Sequence, residues 1–182
     1  MKLQLRDYPR IAIFVGLIAA LGLLPAVNIL PGVPVTAQTL GVMLAGAVLG
    51  SYRGTLAVFV FEVLVLAGLP LLAGGRGGVA VFAGPTAGYL IGWLLGAWVI
   101  GYVIHALPKL PLAISSALAF VLGGIVAVYV PGILWFAYVN QAPVVAVALG
   151  NAPFLVGDSV KVVVAVIVLL AVKAAYPKAL TK

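Results

Sequence analysis

Long apolar stretches, separated by short glycine-, proline- or charge-bearing breaks, run the length of this chain. A helix needs about 20 residues to cross a hydrocarbon core of roughly 30 Å. The breaks then mark spans at about 11–27, 36–50, 54–69, 86–106, 112–130 and 153–175, the second of them short. Apolar residues come in runs and do not alternate, which favours helices over a membrane barrel. The expected fold class is an all-α integral membrane protein, a six-transmembrane-helix bundle forming a single domain over residues 1–182. Pro153 suits the first turn of the last helix, and Asn151 just before it is placed to cap that helix. The segment "PGILWFAYVNQAPVVAVALGNAP" (131–153) is too apolar for a free loop. It reads as an irregular or short-helical cap on the bundle, with Trp135 and Tyr138 at the interface.

Composition sharpens this picture. The chain is 65% hydrophobic and 7% charged, far from the balance of a soluble domain. The net charge of +7 comes from cations scattered singly, with no basic run of the kind that grips nucleic acid. Lys2, Arg6, Arg10, Arg53, Lys109, Lys173, Lys178 and Lys182 make eight of the ten cations, and all fall at alternate ends of the spans. By the positive-inside rule that face is cytoplasmic, so both termini are expected inside the cell. No signal-peptide cleavage pattern follows the first run, which reads as a retained span.

Four ionisable residues remain: Glu62, Arg76, Asp158 and Lys161. Charges within spans are costly, turn towards the bundle interior and mark functional positions. Asp158 and Lys161 stand at i, i+3 and share one helix face. Asp158 lies five residues after Pro153, roughly 7.5 Å along the axis, which puts the pair in the outer part of the last span. Arg76 sits in "GGRGGV" on the predicted outer side, against the charge rule. Together these offer a small polar ligand an acceptor, one or two cations, and the backbone N–H groups of Gly77 and Gly78, which lack a side chain to hold a ligand off. Read structurally, the Asp158–Lys161 pair neutralises itself and pins neighbouring helices. Glu62, near mid-membrane, reads either as a neutral bundle residue or as a proton-relay group.

Small residues recur at every fourth position: Ala12, Gly16 and Ala20, then Gly46 and Gly50, then Gly88, Gly92 and Gly96. Such stripes let helices approach closely in lipid. Packing within the bundle is the expectation for the last two stripes, while the first is open to another protein. There are no cysteines and one histidine, which excludes thiolate chemistry and a histidine-built metal cluster. No Walker spacing follows the glycines, so no ATPase or other enzyme is expected, and active uptake would need energy from partners or an ion gradient.

Three stretches carry a family likeness: "GVPVTAQTLGVMLAGAVLG" (32–50), "GLPLLAGGRGGVAVFAGPTAGYLIG" (68–92) and "GNAPFLVGDSVK" (150–161). The chain resembles the BioY family, the biotin-specific substrate-binding (S) components of energy-coupling factor (ECF) transporters in prokaryotes. The resemblance implies a six-helix S component in the prokaryotic cell membrane. It would bind biotin from outside and work with an ECF coupling transmembrane protein and two ABC ATPases. It assigns Asp158 and Lys161 to biotin binding, Arg76 to ligand contact from the glycine loop, and Ala12, Gly16 and Ala20 to docking on the coupling protein. Ala87 stands where the family usually has glycine. On this reading Asp158 accepts from the ureido N–H groups, Lys161 or Arg76 takes the valerate carboxylate, and Phe82, Tyr89 or Phe154 walls the bicyclic body. Residues 28–39 would form a lid. No cofactor or metal is implied, and biotin is the ligand.

Other readings predict different behaviour. An S component for another vitamin would prefer that vitamin in competition. A proton-coupled carrier using Glu62 and Asp158 would drive uptake alone. A purely structural subunit would bind no small ligand.

Overall fold

The computed structural model describes residues 3–30 and 33–177. Lys2, Lys178 and Lys182 of the cationic ends lie outside these residues, as do positions 31–32 of the expected lid. Helix α1 (Asp7–Gly22) leads to a two-stranded antiparallel hairpin, β1 (Val27–Leu30) and β2 (Val33–Val35), with an irregularity between Asn28 and Leu30. Then follow α2 (Gln38–Leu66), the short α3 (Val79–Ala83), α4 (Ala87–Ala106), α5 (Leu112–Ala119), a π-helical segment (Phe120–Val126), α6 (Ala127–Val139), α7 (Val144–Gly150) and α8 (Ala152–Ala175). The helical class expected from the sequence holds, and the small hairpin is an addition to it. Four stretches are long and apolar enough to cross a membrane: Gln38–Leu66, Ala87–Ala106, Leu112–Val139 and Ala152–Ala175.

Two span boundaries differ from expectation. The second and third spans form the single element α2, which breaks at Gly50 with φ 78° and ψ 175°. That positive φ strains any residue with a Cβ. A side chain on Gly54 would lie 2.7 Å from the carbonyl oxygen of Ala45 and 2.8 Å from Cα of Gly46. In an unbroken helix residues 46 and 54 are about 12 Å apart. The two limbs of α2 are therefore folded against each other about Gly50, and the polar loop expected between them is a tight helical turn.

The second difference lies near Pro131. Proline lacks the N–H that would bond the carbonyl four residues back, so it was expected to end a span. Instead α5, the π segment and α6 run continuously from Leu112 to Val139, with Pro131 inside. Of the expected cap, residues 131–139 are transmembrane-length helix, and only α7 is a separate short helix. Tyr138 is well exposed, while Trp135 donates its indole N–H to the carbonyl of Gly84 (2.9 Å).

Glycine stripes set the packing. Side chains on Gly92 would meet the backbone of Val128, those on Gly96 the carbonyl of Gly123, and those on Gly46 the backbone of Ala97. Close backbone approach of this kind substitutes for a hydrophobic driving force between helices in lipid. The interior holds two clusters, one around Ile18, Phe61 and Trp93, the other around Met43, Phe120 and Leu169. By contrast the α1 stripe faces outward: Ala12, Gly16 and Ala20 are exposed, and none of the described residues lies within 4 Å of a side chain placed on Gly16.

Helix α1 packs mainly on α2, held at both ends by polar contacts. At its start, the buried Asp7 pairs with Arg53 Nε at 3.0 Å and accepts from the Gln4 N–H at 2.9 Å. At its end, the Ile18 carbonyl accepts from Gln38 at 3.1 Å. The first contact sits beside the Gly50 turn and the second at the far end of the limb that Gln38 begins. Arg53→Ala leaves a buried carboxylate without its cation, which is costly. Its thermal midpoint in detergent is expected to fall clearly below wild type, whereas Arg6→Ala, at an exposed guanidinium, stays close to it. Equal midpoints for the two variants would refute the structural role of the pair.

Candidate functional site

Helix α8 carries Asp158 two turns from its start, at 5% exposure. Lys161, one turn on, brings Nζ to 2.7 Å from Oδ1, as the i, i+3 spacing predicts. The other carboxylate oxygen accepts the hydroxyl hydrogen of Tyr129, which α6 presents from across the bundle. Both oxygens thus have one partner each, and each keeps a further lone pair for an incoming N–H.

A second polar pair lies nearby. Asn151 is almost fully buried, accepts from the Tyr89 hydroxyl (2.7 Å) and donates to the Val147 carbonyl (2.8 Å). It stands at the position that caps α8, but its side chain makes no cap bond there. The capping role expected for Asn151 is therefore replaced by a link from α8 through Tyr89 to α4. Pro153 does sit in the first turn of α8.

The glycine loop between α2 and α3 closes the same region. Gly74 and Gly75 adopt φ of 77° and 70°, conformations in which other residues are strained. They bend the chain so that the Leu72 N–H donates to the Arg76 carbonyl (3.0 Å) and the Arg76 N–H to the Leu72 carbonyl (3.2 Å). The Arg76 side chain folds back, and Nε donates to the Ala73 carbonyl at 3.2 Å. Partial burial lowers its pKa from the ordinary value, and the guanidinium still carries its charge.

These pieces meet around one cavity, lined by Arg76, Tyr89, Tyr129, Asn151, Asp158 and Lys161, with Trp93 and Phe154 as aromatic walls. Thr36, Gln38, Thr39 and Thr86 also border it. Arg76, Asp158, Lys161, Tyr89 and Phe154 of the sequence reading are thus brought together. Gly77, Gly78 and Phe82 are not among the described residues that line the cavity. Gly77 instead packs against the Leu69 carbonyl, too close for any side chain, and Phe82 packs on the core. Glu62 is buried elsewhere in α2, its Oε1 without a partner among the described residues.

Sequence reasoning missed Tyr129, Gln38 and Asn151 as members of this site. A tyrosine inside an apolar span carries a signal, since a buried hydroxyl needs a partner. Gln38, at the start of a span, looks like an ordinary polar boundary residue.

Residues 1–178 match the model of the BioY family. The biotin transporter BioY of Rhodobacter capsulatus is 48% identical, over 96% of this chain and 97% of its own. That of Rhizobium etli is 46% identical, over 94% of this chain and 95% of its own. A crystal structure of the S-component for biotin from an ECF-type ABC transporter superposes with a TM-score of 0.88 at 31% identity, covering 93% of this chain and 91% of the other. The match runs from end to end in sequence and in fold, and the chain belongs to the BioY family.

Proposed function

We propose that this multi-pass membrane protein captures biotin and delivers it to the cytoplasm as the S component of an ECF-type transporter. The observation that carries this reading is the cavity in which the Tyr129–Asp158–Lys161 cluster shares space with Arg76. Biotin has one polar head with two N–H donors and one carboxylate tail, and the cavity has a carboxylate in one cluster and a guanidinium apart from it. Lys161 is already committed to Asp158 at 2.7 Å. Arg76 makes only a backbone contact through Nε among the described residues, so its terminal nitrogens take the valerate carboxylate. The ureido N–H groups then go to Asp158, and Trp93, Tyr89 and Phe154 flank the bicyclic body.

Six crossings accord with this role: α1, the two limbs of α2, α4, the 112–139 helix and α8. Arg53, His105 and Lys173 belong to the Gly50 end of the bundle, where His105 lies 3.5 Å from a side chain placed on Gly50. The cavity belongs to the other end. The positive-inside rule makes the first end cytoplasmic, with both termini there and the cavity facing out. The exposed stripe Ala12, Gly16 and Ala20 suits docking on the ECF coupling transmembrane protein, with two ABC ATPases supplying energy. The chain itself is a carrier subunit and performs no chemistry on biotin.

Calorimetric titration of the detergent-purified protein tests this reading. Biotin should bind about one to one, and biotin methyl ester more weakly. Arg76→Ala should cost biotin about tenfold or more, the scale of a hydrogen bond to a charged group, and barely change the ester. Folded protein that gives no heat with biotin would end the assignment, and an equal loss for acid and ester would end the role given to Arg76.

A further inference from the structure

Gln38 is the first residue of α2, is fully buried, and makes three hydrogen bonds with the backbone of other segments. Its Nε2 donates to the carbonyls of Ile18 (3.1 Å) and Leu71 (3.0 Å), and its Oε1 accepts from the N–H of Ala73 (3.1 Å). Both amide hydrogens are used, so the side chain has no donor left for a ligand although it borders the cavity. The two contacts to residues 71 and 73 flank Leu72 and hold that stretch as a neighbouring strand would.

Ala73 is the hinge of this arrangement. Its N–H is held by Gln38, and its carbonyl accepts from Arg76 Nε at 3.2 Å. Leu72, between the two Gln38 contacts, exchanges backbone bonds with Arg76. A single peptide segment therefore separates the Gln38 amide from the Arg76 guanidinium. A side chain on Gly22, at the end of α1, would collide with Gln38 and with the Leu71 carbonyl, so α1 closes the far side and leaves the amide no other seat.

We infer that Gln38 is a positioning residue that sets carboxylate selectivity by fixing the loop that aims Arg76 into the cavity. It touches no ligand itself. The inference rests on the assignment of biotin to the cavity and of its carboxylate to Arg76. It predicts a loss specific to the carboxylate, which general damage to the fold would not produce.

The test titrates biotin and biotin methyl ester into the wild-type chain, Gln38→Met, Gln38→Glu, Arg76→Ala and the Gln38→Met/Arg76→Ala double variant. Gln38→Met, similar in length but without hydrogen bonds, should weaken biotin about tenfold and the ester less than about threefold. Gln38→Glu keeps an acceptor for the Ala73 N–H but sets a carboxylate oxygen against the Ile18 and Leu71 carbonyls, so it should lose the acid-over-ester preference at least as far as Gln38→Met. In the Arg76→Ala background the Gln38 change should have little further effect on biotin, as coupled residues show. Equal losses for acid and ester, or a wild-type preference in Gln38→Met, would overturn the inference. Hydrogen exchange on the wild-type protein serves if Gln38→Met does not fold. The Ala73 amide should exchange more slowly with biotin than with the ester, and identical protection by both ligands overturns the inference as well. Absence of biotin binding by the wild type would instead strike the functional assignment beneath it.

Discussion

Asp158→Ala is expected to weaken biotin binding by about 100-fold or more, and Asp158→Asn by about tenfold or more, in calorimetric titration of the purified protein. The alanine variant removes the acceptor proposed for the ureido group. It also strips Lys161 and Tyr129 of the carboxylate they share. Each hydrogen bond to a charged group is worth about 1.5–3 kcal/mol, and each 1.4 kcal/mol is a tenfold change in affinity, so losing two such bonds reaches about 100-fold. Asparagine keeps the shape and one acceptor oxygen but loses the charge facing Lys161, so its loss is smaller. Tyr129→Phe should fall between wild type and Asp158→Asn. Because Asp158 and Lys161 act together, adding Lys161→Ala to Asp158→Asn should cost less than the two single losses combined. Unchanged affinity in both Asp158 variants would place the biotin site elsewhere.

Gly92→Val is expected to destabilise the protein by about 1–3 kcal/mol or more, read as a fall in the thermal midpoint in detergent, while Gly16→Val leaves it unchanged. A side chain on Gly92 meets Cα and the carbonyl oxygen of Val128, each at 2.7 Å. These are backbone atoms of α6, so rotamer changes cannot relieve the clash and the helices must separate. Val128 neighbours Tyr129, so the same displacement should also weaken biotin. Gly16, with none of the described residues within 4 Å, reports what the added methyl groups do without a helix in the way. A wild-type midpoint for Gly92→Val would show that α4 and α6 are not packed through this glycine face.

The two halves of the ligand cluster differ in how far the sequence reveals them. Asp158 and Lys161 are legible because a charged pair one helical turn apart in an apolar span has few other uses. Their contact at 2.7 Å follows from helical spacing alone. Tyr129 and Gln38 reach their partners across 29 and 35 residues of chain, and no local pattern encodes such a distance. Gly77 and Gly78 are expected in the site because they adjoin Arg76, and Phe82 because it offers a wall for an apolar ligand body. The loop turns at Gly74 and Gly75, however, and Gly77 lies against the Leu69 carbonyl while Phe82 packs on the core.

The fold shows the same division. Apolar runs locate the helices well, since length and hydropathy are summed over many residues. Punctuation is less reliable: the Gly50 break is a folded turn within one helical element, and Pro131 ends nothing. Proline is tolerated in a span when neighbours and local changes of helical type take up the freed backbone groups. A π-helical segment, a local change of helical type, ends at Val126, five residues before Pro131. The hairpin at 27–35 had no expectation behind it beyond a lid, because strands this short leave too few positions for an alternating pattern.

The wide turn at Phe120–Val126 has a further bearing on the cavity. In an ordinary α-helix each residue advances the chain by about 100° of rotation, so taking one residue out of the count turns everything beyond it by that angle. The π segment lodges extra chain in the middle of the 112–139 helix and thereby resets the rotational phase of its second half. Tyr129 begins that half, three residues past the wide turn, with its hydroxyl on Asp158. With a regular ladder through residues 120–126, the same tyrosine would point about 100° away and the carboxylate would face a different side of the helix. The bulge works as a phase shifter: it sets which wall of the cavity is polar without altering a single side chain in it.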